Sequence, residues 1–438
     1  MSVAQALAEL IARSPRPALP MQRGGRVVGF DGSSLVVAGL AAPVGSRALV
    51  GPGRQAAELV GFRDGQAVLM GLAPLDGVAP GDGVVPDATG SAVAVGDGLK
   101  GRVIDGLGRA IDGAGPLPPL MLAPASPPPL GPAQRARVEQ PLATGVRAID
   151  GLLTLGVGQR VGIMAGTGVG KSVLLGQIAR WAAVDAVVVA LIGERSREIS
   201  DFIATELSGP ARARITTLAV PASDAPLLRV RGAERAFAIA EAERAAGRHV
   251  LLILDSLSRV VHGAREVALA RGEPAGARGY PPSALALVAN LAERAGGDRR
   301  TGGAITLIAT VLAEGDDRGD PVVDAARGVM DGHILLSRRL AGRGQFPAID
   351  LINSASRVMV DVCGADHLAA AARFRRMTAL IEENRDLVLM GAYAPGSDPE
   401  LDAALALAAR LEAWRAQPRA LQAAWADSLA SLAALVPA

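Results

Sequence analysis

The sequence predicts an α/β protein: a mostly parallel sheet covered by helices, with a small β-barrel before it and a helical domain after it. Three observations carry this. From Arg147 to Val360, apolar strands ("RVGIMA", "AVVVALI", "HVLLILD", "ITLIATVL", "GHILLS") alternate with Ala/Arg/Glu-rich helical stretches, the pattern of a parallel sheet with helices on its faces. Between about Arg26 and Pro86, short Val/Leu-rich pieces are cut by Gly, Pro and Asp turns, as in an antiparallel barrel. After Ala365 the pattern is almost wholly helical, broken at "GAYAPGSDP" and at Pro418.

Taken in order, residues 1–20 hold an amphipathic helix, since Val3, Ala6, Leu7, Leu10 and Ile11 recur at helical spacing and Ser2 with Gln5 forms a capping box. So short a helix is marginal alone, and reads either as a docked terminus or as a partner-binding segment. The barrel occupies 21–95 and the α/β domain 96–365. Within the latter, residues 115–132 carry eight prolines, which exclude a helix or central strand and predict an extended connector. Gly96 to Gly101 matches G-x-G-x-x-G, but a β-like "GRVID" follows where a dinucleotide fingerprint needs a helix, so these glycines are assigned to turns. Residues 366–438 form the helical domain.

With 438 residues the chain exceeds what a single core usually holds. Its 45 Lys and Arg against 43 Asp and Glu leave +2, too little for a polybasic nucleic-acid or membrane footprint. Cys363 is the only cysteine, so no internal disulfide forms, and the 4 histidines lack zinc-ligand spacing. A cytoplasmic chain is expected: no apolar run reaches membrane-spanning length, and Glu9 interrupts the stretch where a signal peptide would be apolar.

The chemistry concentrates at "AGTGVGKSVLLGQIAR", Ala165 to Arg180. An apolar strand feeds a glycine loop, and the loop feeds a helix, the setting a P-loop requires. The amides of Gly166, Thr167, Gly168, Val169, Gly170 and Lys171, with Ser172 and Val173 opening the helix, form a nest for phosphate oxygens. Lys171 supplies a point charge to the β- and γ-phosphates, and the Ser172 hydroxyl is placed to ligate Mg²⁺. Ala165 stands where the motif's first glycine is usual. Asp255 ends the strand in "HVLLILDSLSR", where an acid holds Mg²⁺ through water, and Glu194 ends "AVVVALIGER", where a carboxylate orients or deprotonates an attacking water. The alternatives are a helix-capping Asp255 and a Glu194 in a surface ion pair with Arg195 or Arg197.

"GTGVGKSVLLGQIAR", "IGERSREISDFI", "DSLSR", "REVALARGEPAGARGYPPS", "TVLAEGDDRGDPVVDAARGVMDGHILLSRRLA" and "FPAIDLINSASRVM" occur in the order and spacing of the flagellar export and type III secretion ATPases, relatives of the catalytic subunit of the rotary ATP synthases. The resemblance covers nearly the whole chain. It implies a RecA-like P-loop NTPase core in a homohexameric ring, with ATP and Mg²⁺ bound at subunit boundaries. On that resemblance Arg357 is the arginine finger that enters the neighbour's site, Phe346 the aromatic ring on adenine, and Arg195 an arginine that contacts the γ-phosphate within its own subunit. Ser258, Val260 and Ala275 depart from the usual pattern.

The function implied is ATP hydrolysis at subunit interfaces, energising or preparing protein export through the flagellar apparatus, which "GAYAPGSDPELDAALAL" resembles more than the injectisome form. The alternatives are an injectisome ATPase, a docking platform for chaperoned cargo with incidental hydrolysis, and a Rho-like RNA translocase. Against the last, the first 95 residues hold seven basic and seven acidic residues and only Phe30 and Phe62 as aromatics, which is no basic stacking groove. Retention of Glu194 argues for a hydrolytic subunit. The partners implied are a stator-type regulatory protein at residues 2–12, a coiled-coil central stalk protein approached by Glu314–Asp317, the export gate and chaperone–cargo complexes. No nucleic acid is expected, and membrane association is peripheral at most, at the inner face of the export apparatus.

Overall fold

Among the described residues, twenty strands and a set of helices are formed. A computed structural model describes residues 24–437 apart from Ser33, Ala88, Thr89, Ser91 and 313–318, so the amino-terminal helix and the acidic loop Glu314–Asp317 lie outside the described residues. The chain divides into two compact units, one formed by the residues up to Ser91 with Ala270–Gly272, the other by Ala92–Leu269 and Glu273–Ala438.

The first unit is a closed barrel of six strands: β1 (Gly25–Phe30), β2 (Leu35–Ala38), β3 (Arg47–Val50), β4 (Gln55–Arg63), β5 (Gln66–Gly71) and β6 (Gly83–Pro86), in the order β1-β2-β5-β4-β3-β6. Alternation places Val27, Leu35, Val37, Val50, Leu59, Leu69 and Val84 inside, as a closed sheet with one apolar face requires. The strands β3 and β6 have four residues each, too few to show a pattern in sequence.

In the second unit, β7 (Val93–Val95) pairs only with β9 (Met121–Ala123). The proline-rich connector therefore contributes one short ribbon strand and no central one, since prolines lack the N–H that an interior ladder needs. A ten-stranded sheet forms the core. Its path runs β20 (Ile349–Ser356), β19 (Gly332–Leu336), β13 (Arg160–Ala165), β18 (Ala304–Leu312), β16 (His249–Asp255), β14 (Ala186–Glu194), β15 (Ile215–Pro221) and β8 (Val103–Asp105), with β10 (Arg135–Ala136) and β17 (Gly296–Asp298) off that path and β11 (Pro141–Leu142) paired to β12 (Leu155–Gly156) elsewhere. All neighbours from β19 to β8 are parallel, and β20 is antiparallel. Helices cover both faces, which is why β14, β16 and β18 read as unbroken apolar runs. The strands β15 and β20 were not foreseen, because "ITTLAVP" and "IDLINSAS" mix polar residues into their runs, whereas β8 falls in the β-like "GRVID".

The carboxy-terminal helices Ala365–Glu383, Arg385–Leu389, Pro399–Arg415 and Trp425–Leu435 break at the glycine-proline stretch and after Pro418. Asp398 caps the third by accepting from the amides of Glu400 and Leu401. Phe374 and Trp414 pack with ring centroids 5.2 Å apart, in one core with residues of the sheet such as Ile163 and Ile253. Among the described residues no helix is long and apolar enough to cross a membrane.

His249, the first residue of β16, has its ring Nε2 3.0 Å from the Thr306 hydroxyl. Burial pulls its pKa from 6.5 down to about 4, against the opposing charge of Asp185. The unfolded ring protonates first on acidification, so its contribution to stability is full above the unfolded pKa and is lost as pH falls toward the folded one. The loss reaches about 3 kcal/mol at most. Urea unfolding followed from pH 7.5 to 4 should show this acid-side fall, and His249→Gln should flatten it; an unchanged slope in the variant assigns the fall to other groups.

Candidate functional site

The sheet order brings the site together. β13 delivers the glycine loop, β16 delivers Asp255 and β14 delivers Glu194, with β18 lying between β13 and β16. All four strands end at the same edge, the place where α/β sheets bind ligands. The loop needs its glycines at Gly168 (φ +76°) and Gly170 (φ +83°), both in the left-handed region that other residues avoid. Gly166 is required for another reason: a Cβ there would lie 2.9 Å from the Arg338 guanidinium. Val169 is buried and anchors the loop, while Thr167, Gly168 and Ser172 are exposed. The helix Lys171–Trp181 begins directly after Gly170, and its first intrahelical bond runs from the Leu174 amide to the Gly170 carbonyl. The amides before Leu174 point from the helix's positive end with no helical partner.

Lys171 is the centre of charge. Its Nζ donates to Asp255 Oδ1 at 2.5 Å and to Glu194 Oε1 at 3.3 Å. Asp255 Oδ1 also accepts from the Thr310 hydroxyl at 2.6 Å. Glu194 is thus neither paired with Arg195 nor with Arg197. Burial works against the Lys171 ammonium, but the charges of Asp255 and Glu194 outweigh it and raise its pKa above the ordinary lysine value. Burial pushes the Glu194 carboxyl above the usual range, with the Asp255 charge adding and Lys171 and Arg259 opposing. A carboxylate more basic than usual at this edge suits the acceptance of a proton from water.

Arg195 does not join this cluster. It stands before the helix Ser196–Thr205, its side chain is 84 % exposed, and it meets Glu198 at 3.4 Å. The arginine whose charge bears on Glu194 is Arg259, from the helix that follows Asp255. Gly193 (φ +73°) makes that approach possible, because a Cβ there would come within 2.6 Å of the Arg259 Cβ. Sequence reasoning quoted Arg259 in "DSLSR" without assigning it a role; its position four residues after a site acid is the signal that could have found it. Among the departures from the usual pattern, Ser258 retains a hydroxyl that accepts from the Leu312 amide at 2.9 Å, and Val260 is fully buried.

Phe346 is 44 % exposed and lies against the loop: a Cβ on Gly170 would be 3.1 Å from its ring. Together with Val173, Pro347, Ala416 and Pro418 it lines a cavity of about 610 Å³ beside the loop. The far wall, the connection between the last two long helices, was not foreseen. It is held by Gln417, which is buried and fully engaged: its amide donates to the Phe346 carbonyl at 2.9 Å, its Oε1 accepts from the Arg147 amide at 2.8 Å, and its Nε2 donates to the carbonyls of Gly145 at 2.8 Å and Leu421 at 2.7 Å.

Arg357 lies elsewhere. It follows β20, whose Ser356 pairs with Gly332 at the start of β19, whereas Ala165, which opens the glycine loop, pairs with Leu336 at the end of β19. Four residues of strand separate the two levels, about 13 Å. The side chain is exposed and its Nη2 reaches only the Arg327 carbonyl, at 3.5 Å.

The residues present fit a magnesium ion held jointly with phosphate. Ser172 opens the helix, Asp255 and Glu194 supply negative charge that a single ammonium offsets, and among the described residues no group of three or more His, Cys, Asp or Glu could hold a metal unaided. That is the donor set expected for Mg²⁺, which is usually bound through one or two protein groups plus substrate phosphates.

Residues 145–356 match the family model described as the ATP synthase alpha/beta family, nucleotide-binding domain, and residues 363–434 match the T3SS EscN ATPase C-terminal domain. The flagellum-specific ATP synthase of Salmonella typhimurium is 45 % identical over 430 residues, covering 95 % of this chain and 94 % of that protein. Among solved structures, the assembled ATPase EscN of the enteropathogenic E. coli type III secretion system superposes with a TM-score of 0.90 at 37 % identity, covering 94 % of this chain and 100 % of that one. The same ATPase in complex with its central stalk EscO gives 0.87 at 36 % identity over the same shares. The similarity runs along nearly the full length at 45 % identity: the chain belongs to the family of flagellum-specific ATP synthases and type III secretion ATPases.

Proposed function

We propose that this chain hydrolyses Mg·ATP in a ring of six copies and energises or prepares protein export through a flagellar type III apparatus. The observation that carries the shared-site part is the placement of Arg357: it lies at the opposite end of β19 from the glycine loop and faces outward, so a neighbouring copy is the site it can serve. The bound nucleotide is held by the amides from Gly166 to Val173, by Lys171 on its terminal phosphates and by Phe346 against its base. When bound, Mg²⁺ spreads the charge of the transferring phosphoryl group; Ser172 would hold it directly and Asp255 through water. Glu194 takes the proton of the attacking water, and the neighbour's Arg357 meets the charge that develops on the γ-phosphoryl oxygens. Arg195, exposed beside Glu194, reaches a γ-phosphate only if its helix start turns inward, and Arg259 is better placed for that edge.

The flagellar assignment rests on 45 % identity to a flagellum-specific relative over 94 % of its length. The second reading, an injectisome ATPase, is favoured by the 0.90 TM-score to assembled EscN. The EscN–EscO complex supports a central stalk partner in the ring. A stator protein on residues 2–12, the export gate, and chaperone–cargo complexes complete the proposed set, at the cytoplasmic face of the export apparatus with peripheral membrane contact at most. Deletion that stops swimming supports the flagellar reading; loss of host-directed secretion with swimming intact supports the other.

Lys171→Ala should abolish turnover. Arg357→Ala should cut kcat by about 10³-fold or more while nucleotide affinity stays near wild type. Mixing the two inactive variants should restore part of the activity, because some boundaries then combine an intact loop with an intact finger; no recovery in mixed rings would remove the shared-site model. Phe346→Ala should raise KM for ATP, with kcat little changed, by roughly the 1 to 3 kcal/mol that a stacked base contributes. Since burial raises the Glu194 pKa, the acid limb of the kcat profile should lie above the ordinary glutamate value of 4.5; a limb at or below it speaks against Glu194 as the base.

A further inference from the structure

Thr310 is fully buried on the central strand β18, one residue beyond Ala309, which pairs with Leu254 of β16. On its other side it pairs with Ile163 of the strand that delivers the glycine loop. A fully buried hydroxyl in such an apolar strand is costly unless it is bonded, and this one donates to Asp255 Oδ1 at 2.6 Å. The same oxygen takes the Lys171 ammonium at 2.5 Å. Both donors converge on one carboxylate oxygen, so neither of these bonds engages Oδ2.

We propose that Thr310 is a positioning residue for the metal, fixing the Asp255 carboxylate so that Oδ2 faces the water of a bound Mg²⁺. The argument rests on the nucleotide site described above and goes beyond it as follows. Lys171 has two demands on it, since the ammonium that reaches for phosphate oxygens gives up its bond to Asp255. Asp255 is buried, and once Lys171 leaves, the Thr310 hydroxyl is the donor that still holds its Oδ1. A buried acid with no such donor can rotate about χ2 and presents either oxygen, so the water-mediated contact to the metal loses its fixed geometry. Partners of this kind, which touch the ligating group rather than the metal, typically carry 10 to 100-fold of metal affinity or activity. Thr310 touches neither nucleotide nor phosphate, so its effect should appear only where Mg²⁺ is involved.

The test uses the full-length chain and a fluorescent ADP analogue titrated in Mg²⁺ and in EDTA, with Thr310→Val, Thr310→Ala and Thr310→Ser. Thr310→Val keeps the shape and removes the hydroxyl; Thr310→Ala removes it with a small cavity in case valine disturbs folding; Thr310→Ser keeps it. The expected result is that Val and Ala weaken half-saturation by Mg²⁺ by roughly 10 to 100-fold, leave the EDTA affinity unchanged, and lower kcat at limiting Mg²⁺, while Ser restores all three. A merely structural role would move the EDTA affinity as well. Hydroxyl-free variants that match wild type in the Mg²⁺ titration, or a Ser variant as impaired as Val, overturn the proposal. A wild-type chain whose nucleotide affinity ignores Mg²⁺ overturns the underlying site reading instead.

Discussion

One ammonium offsetting a buried and a half-buried acid is the constraint on which the site depends. Asp255 is 3 % exposed and Glu194 and Lys171 are each 15 % exposed at the side chain, so none of the three charges is well hydrated. The Asp255 charge raises the Glu194 pKa, and a buried ion stripped of its partner typically costs about 3 to 5 kcal/mol. The arrangement is therefore stable only if the lysine sits between strands, and the sheet order does this: the helix that follows β13 carries Lys171 to the edge where β16 and β14 end with their acids. Inserting β18 between β13 and β16 opens the width of one strand, about 4.8 Å, into which a phosphate chain and a cation can fit between loop and acid. The same inserted strand supplies Thr310.

How much of this was written locally in the chain follows from the range of each interaction. The glycine loop was legible because its requirements are local: left-handed φ at Gly168 and Gly170 and a helix start one residue later. The two acids were legible because an apolar run ending in a carboxylate places that carboxylate at a sheet edge without further information. What the chain hid depends on distant segments. Gln417 binds the carbonyls of Gly145 and Leu421 and accepts from the Arg147 amide, 270 residues away, and nothing in "RAQPRAL" shows which backbone groups will meet it. Arg195 is the opposite case: the resemblance sets it on the γ-phosphate within its own subunit, while here it lies between the end of β14 and the helix that starts at Ser196, with its side chain exposed.

The pocket beside the loop joins two parts of the sequence that have no local reason to meet. Phe346 follows a short helix after β19, and Ala416 to Pro418 connect the two last long helices. Gln417, with four hydrogen bonds to backbone groups, holds that connection against the segments that carry Phe346 and Gly145–Arg147. A base lodged there would contact the carboxy-terminal helices and the loop at once, so occupancy and the packing of the helical region share a single set of contacts. Any displacement of those helices that breaks the Gln417 bonds also opens the wall that faces Phe346.

The lysine's divided role ties binding to chemistry. Lys171 is held by Asp255 and Glu194; on the proposed reading, drawn to phosphate it would leave the two acids without their shared partner. Their repulsion then favours the arrival of a cation, and it raises the proton affinity of Glu194 at the moment when a proton acceptor is required. Arg259 moderates this from one side, lowering the Glu194 pKa, and Thr310 holds Asp255 from the other. On the proposed reading, what remains to be met is the charge that would grow on the far side of the γ-phosphoryl group: Arg338 lies by the loop and Arg259 by Glu194, while Arg357 is about one strand length away at the opposite end of β19. On the proposed reading the single chain carries the phosphate loop, the acid pair and the base pocket, and a second copy's guanidinium completes the open side.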